Sequence, residues 1–392
     1  MRVLISTFSY FPQTSGVPIV VQYIAEGLSK LGHSVAVATR KNGFDLRDNE
    51  VVNGVNVYRF DIGQDLFKRN KGDINKYIDF VVSFPKDILI MECIQCQTTD
   101  ILLPYLKEMN CRVVLHSHGG PGLFQKPISW NINFLHSIGN THNWLRWKKY
   151  YGDTLPRYAQ YIDAVICLSL CASDLNYMTS KMRRVEIVEN AANDMFFDES
   201  LYNVNVEDVL QINNKRYLLC IANYVPNKGQ LAILDAYSRI DAKDCSLVLI
   251  GSKKNAYYEK LKICADKINT AKRGKEVKLL TGVDRSFFPS ILSGAELFVM
   301  ASAHEEYPVS LVEAMAVGTP FISTDAGCAR ILPGGVTVTD RCDIRMVLQM
   351  LVNHPDLLEK YGRQGKSYAL ANNQTEKIVV KIETILKSIV EA

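Results

Sequence analysis

Short apolar runs rich in β-branched residues alternate with segments of helical periodicity along the whole chain. In the first half these runs lie at Arg2–Ser6, Val35–Thr39, Ile88–Met91, Arg112–His116 and Ala164–Ser169. In the second half they lie at Tyr217–Ile221, Ser246–Gly251, Val277–Leu280, Leu297–Met300 and Phe321–Thr324. Continuous apolar strands between helices are typical of parallel sheets that are covered on both faces. The pattern therefore predicts an α/β protein.

The chain is too long for a single hydrophobic core. It has 392 residues, and chains beyond about 250–300 residues usually divide into domains. Both halves show the doubly wound pattern, and a polar stretch at 194–214 separates them. We predict an N-terminal Rossmann-like domain over 1–195, a C-terminal Rossmann-like domain over 196–372 and a final helix over 373–392. The apolar face of that helix is predicted to contain Ile378, Val379, Ile382, Ile385, Leu386 and Ile389.

Composition argues against several classes of protein. The formal charge is only +4 and no block of like charge occurs, so we expect no nucleic acid partner. No apolar run approaches the roughly 18 residues of a membrane-spanning helix, and the N-terminus begins as a strand rather than a signal peptide. Ten scattered cysteines indicate reduced thiols in a cytoplasmic protein. The lone pair Cys93 and Cys96 lacks a second ligand pair, which favours packing over a metal or redox site.

The stretch HEEYPVSLVEAMAVGTPFIST at 304–324 follows one of the predicted strands. Ligands of doubly wound domains bind beyond the carboxyl ends of the strands, so this position is favourable for a site. Pro308 is predicted to begin a helix that Gly318 ends. The first N–H groups of this helix would form a phosphate site, and they belong to Val309, Ser310 and Leu311.

Two glutamates flank the start of the same helix. Glu305 lies in the loop before it and Glu313 about one turn inside it. A carboxylate can accept two hydrogen bonds at once, which suits vicinal hydroxyl groups of a sugar. By spacing alone the two residues are equally compatible with solvated positions in a loop and on a helix surface.

The full motif resembles the signature of the family 4 glycosyltransferases, which are retaining enzymes with the two-domain GT-B fold. Two acids separated by seven residues, followed by Ala-Met-Ala-x-Gly-x-Pro, carry the resemblance. It implies two Rossmann-like domains that face each other across a cleft, with the C-terminal helix packing back on the N-terminal domain. It also implies that Glu305 contacts hydroxyls of the donor sugar and Glu313 those of the ribose.

Further matches to the same family occur in order along the chain. Gly16 lies in a loop similar to the glycine loop that lets backbone approach a diphosphate. His118, in Leu115-His-Ser-His-Gly119, matches a histidine that would contact the donor sugar or the acceptor. Lys228 matches the lysine of Gly-Arg-x-x-x-x-Lys-Gly, which would neutralise the diphosphate.

Some positions depart from the family pattern or match it only weakly. Asn223 replaces the family arginine and brings no charge, so charge compensation would depend more on Lys228 and the helix N-terminus. Gly251 and Val283 lie in strand-end loops that resemble those beside the nucleotide. His116 and His118 form an H-x-H pair, but the sequence supplies no third ligand, and we predict no metal site.

The resemblance implies a metal-independent hexosyltransferase without a cofactor. It would move a hexose from GDP-mannose or a UDP-hexose to a hydroxyl of a glycan, glycolipid or glycoprotein, and it is compatible with a homodimer. Alternatives are a catalytically impaired nucleotide-sugar-binding protein and a UDP-sugar epimerase of the same fold. A nicotinamide dehydrogenase is disfavoured because G-x-G-x-x-G is missing after the first strand. The basic, aromatic segment 143–151 predicts a buried helix face with Trp144, Trp147 and Tyr151, peripheral contact with a membrane, or contact with an acceptor.

Overall fold

The computed structural model of the protein describes residues 1–13, 16–43, 46–65, 69–124, 134–242, 244–271 and 274–392. The chain divides into two compact units. Unit 1 comprises Met1–Glu189 with Glu376–Ala392, and unit 2 comprises Asn190–Thr375. The domain limits predicted at 195 and 372 lie close to these divisions. Acceptor contacts are expected from the region around Gly119–Tyr158, of which positions 125–133 lie outside the described residues, as does Ser15 in the predicted glycine loop.

Unit 1 is organised around a mostly parallel sheet. Its described strands are β1 (Arg2–Thr7), β2 (Ser34–Arg40), β3 (Asn49–Val52), β4 (Val55–Phe60), β5 (Ile62–Gln64), β6 (Asn70–Gly72), β7 (Ile88–Glu92), β8 (Arg112–His116), β9 (Ala164–Cys167) and β10 (Val185–Ile187). The order is β10-β9-β8-β7-β1-β2-β4-β3, with β3 antiparallel to β4 and with β5 and β6 paired separately. The order reverses beside β1, so the carboxyl ends of β1 and β7 flank a topological switch point.

Helices cover the sheet of unit 1 and bury its apolar strands. They are α1 (Val17–Lys30), α2 (Ile74–Ser83), α3 (Gln97–Asp100), α4 (Phe134–Lys149), α5 (Leu155–Tyr158), α6 (Leu175–Lys181) and α14 (Thr375–Val390). Strand β7 is buried along its whole length, as expected for a strand covered on both faces. The sequence analysis did not identify β3 to β6, because these strands are short or alternate between buried and exposed residues.

The C-terminal helix α14 packs within unit 1, as predicted. All six residues of its predicted apolar face are buried. At its contact with α1, a Cβ added to Gly27 would lie 2.5 Å from Val379 Cγ2, so glycine permits the close approach. His33 Nε2 lies 2.7 Å from Glu383 Oε1, and Lys381 Nζ lies 2.8 Å from Glu189 Oε2. Apolar burial and these polar contacts together hold the end of the chain on unit 1.

Unit 2 contains a fully parallel sheet. Its described strands are β11 (Arg216–Ile221), β12 (Cys245–Gly251), β13 (Glu276–Thr281), β14 (Leu297–Met300), β15 (Phe321–Thr324) and β16 (Gly335–Val338). Its helices are α7 (Val206–Leu210), α8 (Gln230–Arg239), α9 (Ala256–Thr270), α10 (Phe288–Ser293), α11 (Val309–Val317), α12 (Ile344–Val352) and α13 (Pro355–Asn372). The order β13-β12-β11-β14-β15-β16 is that of a Rossmann fold. Its switch point lies between β11 and β14, whose following loops must therefore meet.

Three further expectations concern the basic, aromatic segment, the cysteines and membrane-spanning helices. The basic, aromatic segment lies at the end of α4 and beyond, where Tyr151 is buried and Trp147 packs against the core of unit 1. Lys148 and Lys149 are exposed and Trp144 is half-buried, so the interpretation as a buried helix face is confirmed only for Trp147 and Tyr151. All ten cysteines are free thiols. Among the described residues, no helix combines the length and the apolar character needed to cross a membrane.

Candidate functional site

The switch point of unit 2 brings together two residues that the sequence analysis selected. Lys228 ends a short 3₁₀ turn after β11, and Glu305 lies in the loop after β14. Lys228 Nζ donates a hydrogen bond to Glu305 Oε1 at 2.5 Å. Their side chains are 26% and 15% exposed, so the pair is partly shielded from water but still accessible to a ligand. A charge-assisted contact of this kind holds both groups in place.

Gly229 allows the two loops to approach this closely. Its φ of +69° lies in the left-handed region, and an added Cβ would lie 2.1 Å from the carbonyl oxygen of Ala301. The Ala303 N–H donates to the Asn227 carbonyl at 2.8 Å. Arg341 donates from Nε to the Ala301 carbonyl and from Nη2 to the Asn227 carbonyl. The backbone around Lys228 is thus tied to the loop after β14 that carries Glu305.

Substitution Gly229→Ala should therefore displace Lys228. The left-handed backbone alone costs about 1–2 kcal/mol for an alanine, and the overlap with Ala301 adds to this. We expect a lower thermal midpoint and about tenfold weaker binding of the ligand that Lys228 is predicted to contact, which corresponds to about 1.4 kcal/mol. Calorimetry and thermal denaturation measure both quantities.

Gly32→Ala is the matched control for this substitution. Gly32 has a φ of +86°, but no atom lies within 4 Å of an added Cβ. The control therefore carries the backbone strain without the overlap. Equal losses of stability in the two variants would contradict the role of the contact with Ala301.

Helix α11 begins beside the Glu305 loop, and its start differs in two details from the prediction. Pro308 is extended, with a ψ of 113°, and precedes the first helical residue Val309. The Leu311 N–H donates to the Pro308 carbonyl at 3.1 Å, so the prediction that this group is open to a ligand is wrong. In the part of the chain that the structure describes, the N–H groups of Val309 and Ser310 have no backbone acceptor. A helix N-terminus with such groups favours anions.

Glu313 is buried on α11 and pairs with an arginine that the sequence analysis missed. Its side chain is 2% exposed, and Arg285 Nη2 donates to Glu313 Oε1. Burial raises the pKa of Glu313, and the Arg285 charge opposes this rise. The Arg285 guanidinium also lies 5.5 Å from the ring of Phe196 and 5.6 Å from that of Phe288. No local pattern marks Arg285, which is 28 residues from its partner.

The remaining predicted positions of unit 2 lie at neighbouring strand ends. Asn223 is exposed after β11, and its carbonyl accepts hydrogen bonds from Val225 N and Gln230 Nε2. Gly251 ends β12, where an added Cβ would lie 2.5 Å from the Tyr224 ring. Val283 is half-buried in the loop after β13. These residues belong to the same edge of the sheet as Lys228 and Glu305.

Glu306, the neighbour of Glu305, has a structural environment of its own. Its side chain is 9% exposed and lies 3.1 Å from His304 Nε2. The hydrogen bond to Glu306 raises the pKa of His304. The Glu306 carbonyl accepts from the Cys328 N–H, and Asn190 Nδ2 donates to the Tyr307 carbonyl at 2.8 Å. Backbone contacts on both sides thus define the loop that presents Glu305.

The predicted positions of unit 1 also lie at strand ends. Gly16 follows β1 and directly precedes α1, with a φ of +63°. His118 follows β8, and its Nε2 lies 2.7 Å from Glu92 Oε2. His116 Nδ1 lies 3.1 Å from the same oxygen. The expectation that the H-x-H pair lacks a third potential ligand is therefore wrong, because the neighbouring strand β7 places Glu92 beside both rings.

Comparison with known proteins agrees with this architecture. Residues 215–352 match the family described as Glycosyl transferases group 1. The chain is 23% identical over 353 residues to the phosphatidylinositol N-acetylglucosaminyltransferase GPI3 subunit of Saccharomyces cerevisiae, covering 84% of this chain and 69% of that one. It is 28% identical over 162 residues to an MMP alpha-(1->4)-mannosyltransferase of Mycolicibacterium hassiacum, covering 37% and 36%.

A solved structure extends the likeness to the whole chain. Sucrose-phosphate synthase from Thermosynechococcus elongatus superimposes with a TM-score of 0.75 at 16% identity, covering 99% of this chain and 98% of the other. The fold is therefore that of the GT-B glycosyltransferases, with two Rossmann-like units, as predicted. Together with the family match in unit 2, this identifies the chain as a glycosyltransferase.

Proposed function

We propose that this GT-B glycosyltransferase is a retaining enzyme of family 4. It transfers a hexose from a nucleoside diphosphate sugar, either GDP-mannose or a UDP-hexose, to a hydroxyl of a glycan, glycolipid or glycoprotein. The observation that carries the proposal is the Lys228–Glu305 pair at the switch point of unit 2. Glu305 lies in the loop that leads into α11. It combines a cation for phosphate with a carboxylate for sugar hydroxyls at the edge where such folds bind ligands.

Each group of this site has a proposed role. The Lys228 ammonium binds the diphosphate, and the N–H groups of Val309 and Ser310 bind it at the positive end of α11. The Glu305 carboxylate accepts hydrogen bonds from hydroxyls of the donor sugar. Glu313, one turn further along α11, accepts hydrogen bonds from the ribose. In this arrangement Lys228 is shared between Glu305 and the diphosphate when the donor binds.

The proposed reaction proceeds on one face of the sugar. The bond from the anomeric carbon to the diphosphate oxygen breaks, and a bond from the same carbon to the acceptor oxygen forms on that face. The acceptor proton passes to an oxygen of the departing diphosphate. Negative charge therefore grows on the diphosphate, where Lys228 and the α11 N-terminus stabilise it. The protein contributes mainly by orienting the reactants and by this electrostatic stabilisation.

The site residues also support metal-independent chemistry without a further cofactor. Lys228 supplies a full positive charge, and the N-terminus of α11 supplies a partial positive charge. In a metal-dependent enzyme a metal ion would neutralise the diphosphate at this place. His118, from unit 1, is the proposed contact to the donor sugar or the acceptor. We propose a cytoplasmic enzyme that can act at a membrane face when its acceptor is lipid-linked.

The names of the relatives support a hexose as the transferred group. One is named an N-acetylglucosaminyltransferase and another a mannosyltransferase. The two names differ in the transferred sugar and specify no nucleotide, so both a UDP-hexose and GDP-mannose remain candidate donors of this enzyme.

Calorimetric titration with a panel of GDP- and UDP-sugars tests the proposal. We expect one nucleotide sugar to bind with micromolar affinity, about −8 kcal/mol, and to release its nucleotide when an acceptor is added. Binding without turnover would indicate an impaired binding protein, and conversion of a UDP-sugar to its epimer without an acceptor would indicate an epimerase. The proposal fails if no nucleotide sugar binds.

A further inference from the structure

The loop that carries Glu305 is hydrogen-bonded to residues at both ends of unit 2. Asn190 is the first residue of this unit, and Asn373 lies two residues before its last, Thr375. Asn190 Nδ2 donates to the Tyr307 carbonyl at 2.8 Å, and Asn373 Nδ2 donates to the Tyr307 hydroxyl at 3.0 Å. Asn373 Nδ2 also donates to the Asn190 carbonyl at 2.9 Å. Asn190, Asn373 and Tyr307 together are called the asparagine clamp.

The asparagine clamp is shielded from water. Asn190 and Tyr307 are each 4% exposed, and Asn373 is 0% exposed. The side-chain oxygens of the two asparagines have no hydrogen-bond partner among the described residues, so the amino groups carry the contacts with Tyr307. A hydrogen bond is stronger in such a place than in water, and loss of one partner leaves the other unsatisfied. The clamp therefore restrains Tyr307, two residues after Glu305.

Asn373 is itself held by helix α13. Its N–H donates to the Ala369 carbonyl at 2.8 Å and closes the last turn of this helix. A Cβ added to Gly362, earlier in α13, would overlap the carbonyl oxygen of Gly318, where α11 ends. Asn373 contacts Tyr307 just before α11 begins. Helix α13 therefore packs antiparallel to α11, with Asn373 beside the start of α11.

The loop after β15 holds the residues just before Tyr307. Gly327 in this loop has a φ of +60°, and an added Cβ would overlap the carbonyl oxygens of Glu305 and Glu306. Cys328 N donates to the Glu306 carbonyl at 3.1 Å. The backbone from Glu305 to Tyr307 is thus restrained by the β15 loop and by the asparagine clamp, whereas the Glu305 side chain remains partly exposed.

We propose that Asn373 is a positioning residue for Glu305 in the transfer reaction. It acts through Tyr307, together with Asn190, and determines where the loop places the Glu305 carboxylate relative to the donor sugar. Such precision matters because a displacement of about 1 Å can lower a rate about 100-fold. The inference rests on the proposed function for the contact between Glu305 and the sugar.

Two substitutions in the asparagine clamp test the inference. Tyr307→Phe removes the acceptor of Asn373 and keeps the ring, and we expect kcat for nucleotide release from the nucleotide sugar that binds in the panel to fall about 10-fold. Asn373→Ala removes both contacts of Nδ2 and should lower kcat by about 10- to 100-fold. Because the two substitutions break one shared hydrogen bond, their combined loss should be smaller than the product of the single losses. Losses that multiply, or a kcat of Tyr307→Phe within about twofold of the native value, would overturn the inference.

Affinities for two ligands separate positioning from a general loss of stability. Glu305 is the proposed contact to the sugar, so Tyr307→Phe should weaken binding of the nucleotide sugar about tenfold. The Kd of the corresponding nucleoside diphosphate, which has no sugar for Glu305 to contact, should remain within about threefold. Equal weakening of both ligands would indicate damage to the whole site and would overturn the inference. Calorimetry measures both values.

Tyr217→Phe is the matched control for loss of a buried tyrosine hydroxyl from unit 2. Tyr217 is 2% exposed, and its hydroxyl donates to the Ile291 carbonyl at 2.6 Å. It lies near the start of β11, at the opposite edge of the sheet from Lys228. We expect kcat and both Kd values to stay within about twofold even where the thermal midpoint falls. A loss of kcat equal to that of Tyr307→Phe would mean that losing any buried hydroxyl of unit 2 lowers activity, and it would overturn the inference.

Ligand-free crystal structures separate this inference from the proposed function. In the native protein Glu305 Oε1 should lie within hydrogen-bond distance of Lys228 Nζ. In the variants Tyr307→Phe and Asn373→Ala the loop should shift and lengthen this contact beyond about 4 Å, the limit of an ion pair. A contact that is unchanged in both variants would overturn the inference even if the enzyme transfers sugar. A lengthened contact would support it even if no nucleotide sugar binds and the proposed function fails.

Discussion

Substitution Glu305→Ala is expected to abolish turnover of the nucleotide sugar, lowering kcat by at least about 100-fold. The change removes the carboxylate proposed to accept hydrogen bonds from donor-sugar hydroxyls. It also removes the partner of Lys228, whose ammonium lies 2.5 Å from Glu305 Oε1. Without that partner, Lys228 is less well oriented toward the departing diphosphate. Release of UDP or GDP with and without an acceptor, followed at saturating donor, measures the effect.

Glu306 provides the control within the same loop. From its sequence position alone we expect Glu306→Ala to be tolerated, but Glu306 is itself sheltered and pairs with His304. Glu306→Gln is therefore the better control, because it keeps the shape of the side chain and an oxygen that can accept from His304. We expect its kcat to stay within about threefold of the native value. Equal losses in Glu305→Ala and Glu306→Gln would contradict the assignment of Glu305.

Substitution Arg285→Ala is expected to destabilise unit 2 by about 3–5 kcal/mol, because it leaves the buried Glu313 without a charged partner. Glu313 is 2% exposed and Arg285 is 24% exposed, so water can replace the lost contact only in part. Donor affinity should fall as well, since Glu313 is the proposed ligand of the ribose. Urea unfolding at constant pH measures the stability, and calorimetry measures the affinity.

The size of this loss should depend on pH. Burial raises the pKa of Glu313 above its ordinary value, and Arg285 opposes that rise. Without Arg285 the folded-state pKa rises further above the unfolded value of about 4.3. A carboxyl group with a raised folded pKa favours the native state most below its unfolded pKa, and this advantage is lost as pH increases. The difference in stability between native protein and Arg285→Ala should therefore be larger at pH 8 than at pH 5.

Two comparisons isolate the cause of the destabilisation. In the variant Arg285→Ala/Glu313→Gln both charges of this pair are removed. We therefore expect part of the lost stability to return and its pH dependence to weaken. Arg330→Ala removes a largely exposed arginine, which pairs with Asp325 at 2.7 Å. Exposed pairs contribute about 0–1 kcal/mol, so this control should be nearly native. A loss in Arg285→Ala no greater than in Arg330→Ala would show that Glu313 needs no charged partner.

Local patterns in the sequence were sufficient to predict the long central strands, the C-terminal helix and several positions that the structure brings together at the candidate site. The apolar runs identified the long central strands, because strands buried on both faces need apolar residues at every position. The helical period identified the buried face of α14 residue by residue. Glu305 was selected because it lies in the loop after a predicted strand, where ligands of this fold bind, and because it matches a family motif. Lys228 was selected by its match to a motif of the same family.

Only the tertiary structure decided which side chains meet. Arg285 reaches Glu313 across 28 residues and Glu92 reaches His118 across 26, and each contact depends on which loops or strands are neighbours. It also showed that the Leu311 N–H is satisfied by Pro308, a detail of the first turn of α11. Apolar periodicity is a local property of the chain, so it can be read without knowing the fold. The partner of a polar side chain depends on strand order and loop path, which are set by packing of the whole unit.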